Sequence, residues 1–268
     1  MVGWQAAVLV IVVCVIIAYC AFAGKRAGTG AYVTIPTEMS AADTALPAPK
    51  ILFLTAASRD DVPQYVFDRF AHFAKGYTVK FFDDGSCRES LRAFGRPVVE
   101  KFDSLKGAHR ADLWRYCMLY LYGGVYADIK TVFTRPLDEV ITDRTQNYTV
   151  IGWRGPDDPV DHIHQGFIAT VPHNPVIMEC ILHVLSEPVP VVDYHVFVKK
   201  FVEILQDTVG DVVVGTVADW TFFQETELHT EEACAQRDHV GFCRLEFLNE
   251  RGETMAVCRD PDYPWKEA

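Results

Sequence analysis

The stretch from His109 to Leu137, HRADLWRYCMLYLYGGVYADIKTVFTRPL, governs how the rest of the chain is read. Its first half, His109 to Tyr122, predicts a helix. Gly123 and Gly124 stop that helix, because glycine takes the backbone conformations a helix end requires. Val125 to Val132 then predicts a strand. On the helix, Asp112 and Arg115 are three residues apart and share a face. On the strand, side chains alternate, so Tyr126, Asp128 and Lys130 point one way and Val125, Ala127 and Ile129 the other. The apolar set can pack. The polar set then projects from the end of a buried strand, beside the Asp112/Arg115 face. Two carboxylates, a guanidinium and an amine converge there, and burying so many charges without purpose is costly. The alternative is a structural ion-pair cluster, Asp112 with Arg115 and Asp128 with Lys130.

Working outward, Ile51 to Leu54 is a short apolar run suited to a buried parallel strand. Val62, Tyr65, Val66, Phe70 and Phe73 recur at helical spacing. Tyr77 to Phe82 predicts a second strand, and Ser90 to Leu105 a helix interrupted at Pro97. Thr149 to Trp153 and Gly166 to Thr170 predict further strands, and Asn174 to Leu185 a helix. This alternation implies an α/β sheet covered on both faces, in which ligands sit at the carboxyl ends of the strands. Near the C-terminus, Cys243 and Cys258 flank Asn249-Glu250-Arg251-Gly252, which reads as a hairpin turn. A four-residue loop would set the two cysteines opposite each other, as a disulfide in an oxidising compartment; the alternative is two free thiols.

The chain has 268 residues, with 25 Lys and Arg against 36 Asp and Glu and a net charge of −11. Half of it is apolar and 12% aromatic, which excludes a chain disordered throughout. The acidic balance argues against a nucleic-acid binder, while leaving room for a locally positive site that takes a small anion. Trp4 to Ala23 is an unbroken apolar run, long enough as a helix to cross a bilayer, and is expected to be an uncleaved signal anchor. The rival is a cleaved signal peptide, since Ala21-Phe22-Ala23 has the form of a cleavage site. The expected organisation is a short tail (1–3), a transmembrane anchor (4–23), a flexible stem (24–48) and a globular domain (49–268). Lys25 and Arg26 after the span favour a cytoplasmic domain. The cysteines after the span, Cys87, Cys117, Cys180, Cys234, Cys243 and Cys258, and the glycosylation triplet Asn147-Tyr148-Thr149 favour a lumenal one. Nothing in the sequence sets an oligomeric state.

The block Arg110-Ala111-Asp112-Leu113-Trp114-Arg115-Tyr116, with Leu119 and Gly123-Gly124-Val125-Tyr126-Ala127-Asp128-Ile129-Lys130, resembles the glycosyltransferase sugar-binding region with a DXD motif. That family includes fungal Golgi mannosyltransferases and inositol-phosphoceramide mannosyltransferases. Pro49 to Leu52, Val79 to Asp84, Gln165 to Ala169 and Pro172 to Pro175 extend the resemblance more weakly. The resemblance implies a GT-A-like, Rossmann-like mixed sheet flanked by helices and a nucleotide-sugar donor. It further implies a glycan or glycolipid acceptor, transfer with retention, and a lumenal domain anchored in the Golgi or ER membrane, with secretion as the runner-up. By position it implies that Asp112 and Arg115 hold ribose and sugar hydroxyls. Asp128 is the implied catalytic residue, binding the donor and a divalent metal, Mn²⁺ or Mg²⁺. Tyr126 lines the implied donor pocket, and Lys130 and Gln165, each standing where the family has another residue, complete the expected substrate-binding set.

The chain departs from the family's pattern in three places. Lys130 replaces the last carboxylate of the motif, the usual metal ligand. Either an acid from elsewhere completes a metal site, or Lys130 itself neutralises the diphosphate, or the chain is an inactive relative that still binds donor. Phe53 to Ala57 lacks the aromatic expected after the first strand, and Gln165 stands where asparagine is usual. Outside the motif, His162 and His164 share a strand face and follow Asp157, Asp158 and Asp161, a set that could bind a metal or contact the acceptor. Trp220, Phe222 and Phe223 are either an acceptor platform or core.

Overall fold

The computed structural model describes residues 46–152, 160–235, 243–259 and 263. The expected anchor (4–23), most of the stem, Trp153, Asp157 and Asp158 lie outside the described residues. Among the described residues no helix is long and apolar enough to cross a membrane.

The chain opens with β1 (Ile51–Thr55), α1 (Gln64–Phe73) and β2 (Thr78–Phe82). Next come α2 (Asp84–Ser90), a 3-10 turn (Leu91–Phe94) and α3 (Arg96–Ser104). The helix expected from Ser90 is thus divided, but at Gly95 (φ 86°) rather than at Pro97. Proline fits the first turn of α3, where its missing N–H has no partner to lose. Then follows the deciding stretch as α4 (Ala108–Tyr122) and β3 (Gly124–Ala127). Gly123 closes α4 with a φ of 64°, and a Cβ there would sit 2.6 Å from the backbone nitrogen of Pro172. Only glycine satisfies both the left-handed backbone and that approach.

The strand expected to run to Val132 ends at Ala127. Asp128 N–H makes the last ladder bond, to Gly166 O (2.8 Å), and Thr131 N–H then closes a turn on Asp128 O (2.9 Å). The chain leaves the sheet there, re-entering as β4 (Val132–Phe133) before α5 (Leu137–Val140). The remainder is β5 (Asn147–Ile151), β6 (Ile163–Thr170), α6 (Pro175–Ser186), α7 (Val196–Val209), β7 (Gly215–Val217), β8 (Trp220–Glu227), α8 (Glu231–Ala235), β9 (Leu245–Leu248) and β10 (Thr254–Val257). Asn174 caps α6 by accepting from the N–H groups of Val176 and Ile177, which orients the helix after the sheet.

The strands form one mixed sheet in the order β2-β1-β3-β6-β5-β8-β9-β10-β4, with β7 on β8. β1 runs parallel to β2 and β3, and β5 parallel to β8; β6 runs antiparallel to both β3 and β5. Strand alternation divides the core in two. Phe53, Tyr126, Ile168 and Phe222 pack with α3, α4, α6 and α7 on one face. Leu52, Leu54, Val125, Ala127, Phe167 and Phe223 pack with α1 and α5 on the other. Trp220, Phe222 and Phe223 are buried in these two layers, so they are core and not a platform for an acceptor.

Two expectations are corrected. Cys243 is bonded to Cys234, not to Cys258, with the two Cα atoms 4.3 Å apart. The hairpin does form at the predicted place, but Thr254 pairs with Leu248 and an irregularity before Ala256 shifts the register again. Cys258 N–H therefore meets Leu245 O (2.8 Å), two residues beyond Cys243. Asn147, the expected glycosylation site, is fully buried in β5. Its amide donates to Asp219 O (3.0 Å) and Asp219 Oδ2 (3.1 Å) and accepts from Val171 N–H (3.1 Å), so the folded domain offers no nitrogen for a glycan.

Candidate active site

The site lies where the carboxyl end of β3 meets α4 and β6. β6 brings Gln165 and Gly166 there through an irregularity: its pairing with β5 jumps from Tyr148↔Ala169 to Val150↔His164. Bulges of this kind re-aim side chains beside functional sites. Here Gln165 is turned toward α4, and Gly166 leaves open the space beside Asp128. A Cβ at residue 166 would sit 2.4 Å from His164 Nε2 and 3.0 Å from Asp128 Oδ2.

Arg115 is the hub. It is almost fully buried and lies with its guanidinium 4.3 Å from the centre of the Tyr126 ring. It pairs with Asp112 Oδ1 (3.2 Å) and more loosely with Asp128 Oδ1 (3.9 Å). It also donates to the backbone carbonyls of Gln165 (2.6 Å) and Ala111 (3.2 Å). The Tyr126 hydroxyl donates to Asp128 Oδ1 (2.7 Å). Gln165 satisfies its neighbours with its amide nitrogen donating to Asp112 Oδ1 (2.8 Å) and its oxygen accepting from the Tyr116 hydroxyl (2.6 Å). Asp112, Arg115, Tyr126, Asp128 and Gln165, which the sequence singles out, are therefore brought into one bonded cluster.

The two carboxylates of the cluster are shifted in opposite directions. Burial pushes Asp112 up to about 6, although Arg115 pulls the other way. Asp128 is the accessible member, with 41% of its side chain exposed. What burial it has opposes charge, but Arg115, the Tyr126 hydroxyl, His164 and Lys130 outweigh that and hold it below the ordinary carboxylate range. Such a divergence gives one ionised acceptor facing solvent and one carboxyl kept inside. Lys130 is half-buried beyond the turn, with its ammonium 5.5 Å from the centre of the Tyr263 ring. Burial and the nearby Arg259 draw its pKa down, against the attraction of Asp128.

Sequence reasoning missed several neighbours. Arg259 reaches the same region from just past β10. Tyr194, exposed just before α7, hydrogen-bonds through its carbonyl with His109 (3.1 Å). His162 and His164, expected as a pair, part company. His162 meets Asp161 (2.6 Å), while His164 meets Glu225 (3.1 Å) and Cys258 (3.5 Å). No spacing rule flags the contacts of His164, because the partners come from different strands.

Residues 64–147 match the family described as the glycosyltransferase sugar-binding region containing a DXD motif. The matched span runs from α1 into β5 and contains α4, β3 and the turn carrying Asp128 and Lys130. A solved structure titled PaToxG Glycosyltransferase is similar over 60% of this chain and 70% of its own, at 14% identity and a TM-score of 0.45. No curated protein matches the chain. The family match supports a glycosyltransferase, with a sugar donor and an acceptor as the substrates such a family implies. The mixed α/β sheet is of the class expected for a GT-A-like fold.

A DXD region commonly binds a divalent metal, but the donors here do not fit Mn²⁺ or Mg²⁺ at the motif. Those ions take several hard oxygen ligands. Lys130 occupies the second acidic position, one Asp128 oxygen is already bonded to Tyr126, and Asp112 is engaged by Arg115 and Gln165. No step at Asp128 is therefore routed through a metal.

Proposed function

We propose that the protein transfers a sugar from a nucleotide-sugar donor to a hydroxyl of a glycan or glycolipid, with retention, in the manner of the mannosyltransferases it resembles. The observation that carries this reading is the Arg115-centred cluster at the end of β3, with one ionised, accessible carboxylate, Asp128. Asp128 accepts hydrogen bonds from the donor's sugar or ribose hydroxyls. Tyr126 and Arg115 position it, and Asp112 and Gln165 lock Arg115 and α4 from beneath. Lys130 faces the diphosphate and neutralises charge on the departing nucleotide, the part a metal ion plays elsewhere. The domain is anchored by residues 4–23 in the Golgi or ER membrane and faces the lumen. The Cys234–Cys243 disulfide supports that side of the membrane, because such bonds persist in oxidising compartments.

The test is nucleotide release by the full chain from a panel of UDP- and GDP-sugars. Release from one donor, abolished by Asp128→Asn, crippled by Lys130→Ala and not raised by added Mn²⁺ or Mg²⁺, is the expected result. A strict requirement for Mn²⁺ would sink the role given to Lys130. The second reading, favoured by the loss of the motif's last acid, is a relative that binds donor without turnover. Donor-induced thermal stabilisation without release from any donor would establish it.

A further inference from the structure

Beside Gly166, three strands bring together side chains to which no contact with donor or acceptor is assigned above. His164 comes from β6, Glu225 from β8, and Cys258 from the residue after β10. His164 Nδ1 is 3.1 Å from Glu225 Oε1, and the Cys258 sulfur is 3.5 Å from His164 Nε2 and 3.9 Å from Nδ1. One donor atom from each of the three lies within 4.8 Å of the others. Cys258 and Glu225 are buried, while His164 keeps partial access to solvent. The ring of Phe247 lies beside His164, with centroids 5.1 Å apart, and closes the site on its apolar side.

We infer that His164, Glu225 and Cys258 form a binding site for a borderline-soft divalent cation, Zn²⁺. The donor set is one imidazole, one carboxylate and one thiolate, which suits zinc and suits Mg²⁺ or Mn²⁺ poorly. With Zn–S of about 2.3 Å and Zn–N of about 2.0 Å, a tetrahedral ion separates sulfur from nitrogen by about 3.5 Å. Nδ1, the ring nitrogen that faces Glu225, lies 3.9 Å from the Cys258 sulfur, so the thiol has only to close by a few tenths of an ångström for one ion to meet all three. Three protein ligands leave a fourth position for water or a further ligand. The site differs from the DXD position in residues and in ligand softness. It ties β6, β8 and the end of β10 together, and so fixes the segment that carries Arg259 toward Lys130. A second group, His229 with Cys234 and Cys243, has comparable spacing, but its two sulfurs are spent in the disulfide. The inference stands apart from the donor and acceptor assigned above, because a zinc site here needs no turnover.

The test uses the purified full chain, stripped of metal and titrated with zinc chloride, then with cobalt(II) chloride. One equivalent of zinc is expected, and cobalt should give a thiolate-to-metal charge-transfer band. Cys258→Ser and His164→Gln should each weaken zinc binding at least about tenfold, since even outer partners of metal ligands are worth 10–100-fold. Cys234→Ser should leave it unchanged. Absence of zinc uptake by the wild type, or a cobalt complex without the thiolate band, would overturn the site, as would binding that survives Cys258→Ser and is lost in Cys234→Ser. If a variant unfolds by circular dichroism, the cobalt spectrum of the wild type alone decides.

Discussion

Replacing Arg115 by methionine keeps much of the side chain's volume and removes its charge and its donors. Asp112 loses its buried partner, at 3.2 Å, and the Gln165 carbonyl loses its 2.6 Å donor. Removing one member of a buried ion pair costs about 3–5 kcal/mol, and an orphaned buried acceptor about 1–3 kcal/mol more. At about 2–4 °C per kcal/mol for a domain of this size, Tm should fall by at least about 8 °C. Asp112→Asn in the same chain then removes the stranded carboxylate, so the double variant should recover about 1–3 kcal/mol of the loss. Asp112→Asn alone carries a pH signature. The folded pKa of Asp112, about 6, lies above its ordinary 3.8, so the folded state holds the proton more tightly. That contribution is complete below the ordinary value and is lost as pH rises through about 6. Measured against wild type, the asparagine variant should therefore gain stability between about pH 4 and pH 7, by up to about 3 kcal/mol for a pKa raised that far. Thermal unfolding followed by circular dichroism across that range reads both effects. A cost for Arg115→Met under about 1 kcal/mol, as for an exposed pair, or a double variant no more stable than the single, would refute the reasoning.

Tyr126→Phe removes the hydroxyl that helps hold Asp128 ionised, so the acidic limb of the kcat/KM profile should move to higher pH; an unmoved limb would detach Asp128 from it. Gly166→Ala forces a Cβ against His164 and Asp128 and should lower turnover by about a hundredfold, as angstrom-scale displacement of a reacting group does, with unfolding made easier by about 1–3 kcal/mol. Proteolysis of unreduced protein should yield a Cys234–Cys243 cross-linked peptide by mass spectrometry; a Cys243–Cys258 peptide would contradict the hairpin register described above.

Much of the site is legible in the sequence because its residues are close along the chain and obey two periods. Asp112 and Arg115 share a helix face by three-residue spacing, and Tyr126 stands opposite Val125 and Ala127 by strand alternation. The same rules fail one residue later. The strand period extends on paper to Val132, but the turn closed by Thr131 on Asp128 ends β3 at Ala127, and Lys130 is placed by that turn and not by a pleat. The glycosylation triplet fails for a related reason. A three-residue pattern carries no burial information, and Asn147 falls in a central strand.

The sequence by itself determined the α/β class, the helix–glycine–strand unit around Asp128 and the convergence of its charged groups, because these follow from local propensity and periodicity. The tertiary structure alone decided the rest. It set the partner of Cys243, the irregularity in β6 that aims Gln165 at α4, and the opposite pKa shifts of Asp112 and Asp128. It also brought His164 to Cys258, 94 residues apart. Each of these depends on strand order and register, which are fixed by burying two apolar faces at once, and a shift of one residue in pairing turns every side chain of a strand to the other face.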